Sequence, residues 1–328
     1  VRKTAAIVLA AAFVVALAGC SDLPQTVDSC TPAASGSASK SITATGKLGQ
    51  NPEAKIPTPT KTTKVQVSTI RQGTGAVLGT DDVAKVQYTI YAGATGGALG
   101  SSGQSGFTKA SEYQATIGAK ADPIGKTLEC ARVGSRTATV LTAQQFFGSA
   151  ATATSNGVSA KDVLVVVTDI ESGYRGRATG ALRPLKSGFP SIVTAPDGTP
   201  GVTFDLKLPP KTLRYEVIRG GSGATVKKGD SLLLQIEGIQ WTTDPAPTDT
   251  FVSTWTAHRP ESTVAASITQ NSKSTLDPGS AKALIGQKVG SQILVVVPPK
   301  YGYPSGKAPQ DYPTGGTLVF IYDILGVQ

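Results

Sequence analysis

The sequence predicts an α+β fold in which strands predominate, built twice along the chain as two domains of one fold. Three observations carry this. Segments of the first half recur in the second at a spacing of about 150 residues, long enough for each copy to bury its own core. Runs rich in Val, Ile and Thr, residues that suit pleated and half-buried positions, open and close each copy. An Asp-Pro pair suited to starting a helix also occurs at matching places in both copies, because Asp satisfies orphan amides and Pro needs no N–H at the first helical position.

The matching blocks fix the order of elements. Arg71-Gln72-Gly73-Thr74-Gly75-Ala76 matches Arg219-Gly220-Gly221-Ser222-Gly223-Ala224, and Pro52 and Asp82 match Pro200 and Asp230 at the same spacing. Further on, Asp122-Pro123 matches Asp277-Pro278, Val133-Gly134-Ser135 matches Val289-Gly290-Ser291, and 164–170 matches 318–324. The spacing drifts by only a few residues, as loop insertions would cause. Each copy therefore reads as a strand (65–70; 213–218), a Gly-rich turn, an alternating strand (83–90; 231–239), a long loop, a short helix at the Asp-Pro pair, and two apolar strands. The domains are placed at 46–172 and 197–328. Between them 173–196, rich in Gly, Arg and Pro, reads as an ordered but irregular linker. Residues 20–45 read as a stalk, Ser/Thr/Ala-rich and flexible from Cys30 to Ala44.

Residues 1–19 have the three parts of a secretory signal: a charged start (Arg2, Lys3), an apolar run from Ala5 to Leu17, and small residues up to Cys20. The run is shorter than the roughly 20 apolar residues that span a bilayer. Leu17-Ala18-Gly19-Cys20 resembles the lipobox of bacterial lipoproteins, which implies cleavage before Cys20 and a diacylglyceryl group on its sulfur. The alternative is an ordinary cleavage site beside a free thiol. Lipidation implies a chain anchored at the extracytoplasmic face of the cell membrane. Cys30 and Cys130 are then left in a compartment that permits disulfides, and we expect them to pair rather than remain as two inert thiols. The bridge would close a loop of about a hundred residues.

Composition excludes several chemistries. The net charge of +9 is scattered over residues such as Lys207, Lys211, Lys227, Lys228, Lys273 and Lys282, with no basic run, so no nucleic-acid partner is expected. The single histidine, His258, has no nucleophile motif near it, and the three cysteines lack zinc-ligand spacing, so no metal or cofactor is expected. The Gly-rich turns lead into strands, where no helix N-terminus cradles phosphate. Asp81 and Asp82, adjacent on a strand, point to opposite faces. What remains is aromatic: Tyr88, Phe107, Phe146 and Phe147 in the first copy, and Phe251, Trp255, Tyr301, Tyr303, Tyr312 and Phe320 in the second. Core packing is the ordinary role of such side chains, but Tyr301, Tyr303 and Tyr312 fall in a Pro/Gly-rich loop and read as a binding surface.

These residues reach a family. The second copy resembles FKBP-type peptidyl-prolyl cis-trans isomerases across almost its full length. The resemblance runs through Gly221-Ser222-Gly223, Lys228-Gly229-Asp230, Thr250-Phe251-Val252-Ser253-Thr254-Trp255, Gly286-Gln287-Lys288-Val289-Gly290, Val297-Pro298-Pro299-Lys300-Tyr301-Gly302-Tyr303 and Thr317-Leu318-Val319-Phe320. The first copy looks like a more diverged member. The resemblance implies an antiparallel sheet of about five strands curled around one short helix, and isomerisation of X-Pro bonds in exported proteins as the activity. Phe251, Tyr303, Tyr312 and Phe320 would line the pocket of the second copy, and Tyr88, Phe107 and Phe147 a second pocket in the first. Three departures stand out. The family's first pocket tyrosine falls on Tyr88 but on Ile236 in the second copy. Its pocket aspartate falls on Val252 and Thr108. Its floor tryptophan falls on Ser280 and Ile124. Trp255 matches a packing residue of bacterial relatives. The expected partners are proline-containing segments of exported proteins, met by a monomeric chain. The competing expectation is a non-catalytic module that binds extended polypeptide as a chaperone.

Overall fold

A computed structural model describes residues 30–102, 112–205, 208–243, 250–255, 261–265 (backbone only), 276–303, 308–309, 312–313 and 315–328. Cys20, Phe107, Thr108 and His258 lie outside the described residues, as does the signal segment 1–19.

The chain opens with a short helix α1 (Ser37–Lys40) and a hairpin of β1 (Thr43–Thr45) and β2 (Glu53–Lys55). The first sheet follows: β3 (Gln66–Arg71), β4 (Val83–Ala92), β5 (Ala98–Ser101), β6 (Tyr113–Thr116), β7 (Arg136–Thr142), helices α2 (Ala143–Phe147) and α3 (Ala150–Ser155), and β8 (Val163–Tyr174). Next come β9 (Ala181–Leu182) and a second hairpin, β10 (Ser191–Thr194) with β11 (Pro200–Thr203). The second sheet comprises β12 (Arg214–Gly220), β13 (Ser231–Gln240), β14 (Thr250–Ser253), β15 (Glu261–Ala265), β16 (Gln292–Val297) and β17 (Leu318–Val327), with helix α4 (Pro278–Leu284) before β16.

The two sheets share one topology. The first runs β3-β7-β8-β4-β5 with β6 also on β4, and the second β12-β16-β17-β13-β14 with β15 also on β13. All these pairings are antiparallel. Alternation on the closing strands explains why each sheet is two-faced. On β17, Leu318, Phe320, Tyr322 and Ile324 join the core under α4, while Val319 and Ile321 join a core on the opposite face. Ala143 and Phe146 of α2 and Ala153 of α3 pack on the matching inner face of the first sheet.

Each outer face is covered by the hairpin that precedes its sheet. Ala44, Ala54 and Ile56 pack over the back of the first sheet, and Ile192, Val202 and Phe204 over the second. These residues recur at the same spacing of about 150 as the rest of the repeat, and the hairpin registers match strand for strand. The segment 173–196, expected to be an irregular linker, thus holds strands β9 and β10, with β9 paired to β12. Its apolar positions, Leu185, Phe189 and Ile192, are half-buried against the sheet and hold the segment in place. The flexible stalk expected up to Ala44 is corrected in the same way from Cys30 onward. Ile42 is buried, Gln66 Oε1 accepts from the N–H of Ala38 and Ser39, and Cys30 is joined to Cys130 by a disulfide with Cα atoms 5.5 Å apart.

The Asp-Pro helix forms in only one copy. Asp277 caps α4 by accepting from the Ser280 N–H at 2.9 Å. Asp122 instead accepts from the N–H groups of Thr116, Ile124 and Gly125, and only a 3₁₀ turn follows at Gly125–Thr127. The chain is pinned to β6 there, and a Cβ on Gly125 would strike the Thr116 carbonyl oxygen. In its place the first sheet carries α2 and α3. Thr142 opens α2 with a reciprocal box, its hydroxyl accepting from Gln145 N–H while Gln145 Oε1 accepts from Thr142 N–H.

The two units meet through a small apolar cluster of Val83, Leu233 and Leu325 with Tyr174 packed on it. A Cβ on Gly326 would run into the Tyr174 ring, so glycine is what lets β17 approach the end of β8. Among the described residues no helix is long and apolar enough to cross a membrane.

Candidate active site

Four aromatic rings meet at one end of the second sheet's inner face. Phe251 stands on β14, Phe320 on β17, and Tyr303 and Tyr312 on the segment that joins β16 to β17. Tyr312 is the hub. Its ring centroid lies 4.8 Å from Phe251, 5.5 Å from Tyr303 and 6.3 Å from Phe320. Phe251 meets Phe320 edge to face at 5.6 Å and 88°, the arrangement that sets the positive edge of one ring on the negative face of the other.

Backbone choices make this cluster possible. Gly238 on β13 lies opposite both Val252 and Phe320. A Cβ there would stand 2.9 Å from the Phe251 ring, so glycine leaves the space that the ring occupies. Pro298 and Pro299 end β16, and a 3₁₀ turn at Pro299–Tyr301 swings the chain toward Gly302 and Tyr303. The Lys300 ammonium lies 5.9 Å from the Tyr301 ring centroid, and Tyr301 packs on the core.

Burial governs the electrostatics. The Tyr303 hydroxyl is pushed well above the usual phenol range by burial first, then by Tyr312 and Asp277, although the Asp277 backbone hydrogen-bonds it. Tyr322 is raised in the same direction, again by burial first. The Asp277 carboxyl is also pushed up by burial, against its bonds to Ser280. The Tyr303 and Tyr322 hydroxyls thus keep their protons, and the clustered rings present apolar faces.

The structure brings together Phe251, Tyr303, Tyr312 and Phe320, the four residues that the resemblance assigned to the second copy. Ile236, at the tyrosine position, is buried in the core, and Val252 packs on the core from β14. Ser280 is fully buried at the start of α4. In the first unit Tyr88 meets Tyr113 edge to face at 5.7 Å, and Phe147 meets Phe146 at 5.0 Å, both pairs packing on the same core. Phe107 lies outside the described residues, so the three residues expected to act together there are not all described. Trp255 is buried and lies against Gly198 in the β10–β11 turn. Sequence reasoning missed Tyr322, which shares the Phe320 face of β17. The period-2 alternation of the strand was the signal that could have found it.

No curated protein matches the chain. Among solved structures, the three FKBP domains of wheat FKBP73 are similar at 16% identity, over 80% of this chain and 94% of that one, with a TM-score of 0.31. FkpA from Escherichia coli is similar at 24% identity over 44% of this chain, which spans about half (53%) of that one, with a TM-score of 0.29. AtFKBP13 is similar at 13% identity, over 42% of this chain and 99% of that one, with a TM-score of 0.28. Residues 223–325, which hold the whole aromatic cluster, match the family model of FKBP-type peptidyl-prolyl cis-trans isomerase.

Proposed function

We propose that the chain catalyses cis/trans isomerisation of X-Pro bonds in exported proteins, from a position outside the cell membrane to which lipid on Cys20 holds it. The single observation that carries the catalytic part is the cluster of Phe251, Tyr303, Tyr312 and Phe320 inside the segment that matches the family. An X-Pro bond isomerises unaided over tens to hundreds of seconds against a barrier of roughly 18–20 kcal/mol. Neither proton transfer nor a covalent intermediate is needed. The planar amide is more polar than the twisted one, so withdrawing water from it favours twisting. Aromatic walls withdraw the water, and their faces hold the proline ring. The first unit, with the same strand order, is the diverged partner domain, and unfolded or extended segments are the substrates.

A second reading, a binding module without turnover, is favoured by one observation. Val252 stands where the resemblance places a carboxylate, so an apolar side chain replaces a charged acceptor beside the cluster. Exchange spectroscopy on a proline tetrapeptide separates the two. The chain from Ser21 onward is expected to accelerate exchange at substoichiometric concentration. Peptide binding with unaltered exchange would establish the second reading instead.

A further inference from the structure

Beneath the pocket rings runs a line of buried polar groups that rings alone do not explain. Tyr322 follows Phe320 on the same face of β17, with ring centroids 5.4 Å apart and planes at 23°. It is only 1% exposed, so it cannot touch a bound peptide. Its O–H donates to Ser280 Oγ at 3.0 Å. The Ser280 hydroxyl donates onward to Asp277 Oδ2 at 2.6 Å, and the Ser280 N–H to Asp277 Oδ1 at 2.9 Å. Tyr303, on the opposite wall, is hydrogen-bonded to the backbone of that same Asp277.

The two walls of the pocket are therefore tied to one residue. Phe320 reaches Asp277 through Tyr322 and Ser280, and Tyr303 reaches it directly. A phenol on the strand has the length to bridge to a serine on the helix, and a small residue at position 280 leaves room for it. Buried hydroxyls keep their partners because an unmade bond is expensive in low dielectric, and a chain of O–H donors strengthens each link.

We propose that Tyr322 is a positioning residue that fixes the spacing between the strand wall and the loop wall of the prolyl pocket. The inference rests on reading the cluster as a site for prolyl peptides.

A double-mutant cycle tests it. Tyr322→Phe keeps the stacked ring and removes the hydroxyl, and Tyr303→Phe removes the other tie to Asp277. Each single variant is expected to lower kcat/KM for a proline tetrapeptide about five- to tenfold, and the double variant by no more than the worse single, because both cut one linkage. Multiplying effects, or an unchanged Tyr322→Phe, overturn the proposal. Ser280→Ala cuts the chain from the helix side, is expected to be equally non-additive with Tyr303→Phe, and decides the matter if Tyr322→Phe does not fold. If the wild type binds the peptide without turnover, the same criterion applies to Kd. A wild type that neither binds nor isomerises defeats the reading of the pocket itself, and this proposal with it, before any variant is made.

Discussion

Asp169 and Asp323 occupy matching places on β8 and β17 yet have opposite company. Asp169 is held by Arg136, with Nε to Oδ1 at 2.6 Å and an Nη2 bond to Oδ2 at 2.7 Å, and it also accepts from Gly49 N–H. Arg136 turns its remaining donors on the carbonyls of Thr45 and Lys47, so the pair is buried but fully bonded and staples the first hairpin. Asp323 has the neutral Gln292 beside it, plus the Ala178 N–H, and burial pushes its carboxyl up to about 6. An acid whose folded pKa is raised adds stability that is fully present below the unfolded value near 4 and lost as pH rises through about 6. Asp323→Asn should remove that share of the pH dependence. Its amide can still accept from Ala178, and its NH₂ can meet Gln292 Oε1, which is buried without a partner among the described residues. Urea midpoints at pH 4, 5, 6 and 7.5 are expected to show the variant gaining on the wild type with rising pH. Parallel curves would show that Asp323 does not titrate there. The aligned aspartates were legible in the sequence. Their partners were not, because Arg136 and Gln292 are brought to them only by strand pairing, just as Ser280 reaches Tyr322 only once α4 lies under β17.

At the scale of elements, the sequence revealed what repeats but not how far the repeat extends. Pro52 and Pro200 marked the hairpins, yet Ala44, Ala54 and Ile56 share no identity with Ile192, Val202 and Phe204, so only their spacing and burial reveal one element used twice. The Asp-Pro signal was sound at Asp277 and misleading at Asp122, where Gly125 pressed against Thr116 leaves a single 3₁₀ turn. Helix α2 had a capping box in plain view at Thr142 and Gln145 that lay outside the repeat pattern. The disulfide belongs to this scale too, since it fastens the start of the first hairpin segment to the turn before β7 across 100 residues. Paired Cys30→Ser and Cys130→Ser replacements are expected to lower unfolding free energy by about 2–5 kcal/mol, read from denaturant midpoints. A loss below about 0.5 kcal/mol would mean that the hairpin holds its place without the bridge.

At the scale of the molecule, the units touch through Val83, Leu233, Leu325 and Tyr174, and the segment after β8 serves the second unit: Gly176 O accepts from Gln235, and Ala178 N–H donates to Asp323. The first unit is folded from Cys30, so a lipid on Cys20 would hold it within about 35 Å of the membrane, the most that the intervening residues can span. Cys20→Ser is expected to move the chain from the membrane fraction to the fluid phase; retention at the membrane would remove the anchor from the proposal. The fold class and the grouping of the four rings were legible because Phe251, Tyr303 and Phe320 lie in family blocks and Tyr312 in the Pro/Gly-rich loop between the last two, whereas the packing of unit on unit left no sequence pattern to read. The claim on which the rest depends is that the ring cluster turns over prolyl bonds. Exchange rates of a proline tetrapeptide, measured by NMR with wild type and Tyr303→Ala at equal concentration, test it most directly. Acceleration by the wild type and a loss of about tenfold or more in the variant are expected, a barrier change of roughly 1.4 kcal/mol. Equal rates from both proteins, or no acceleration by either, would contradict it.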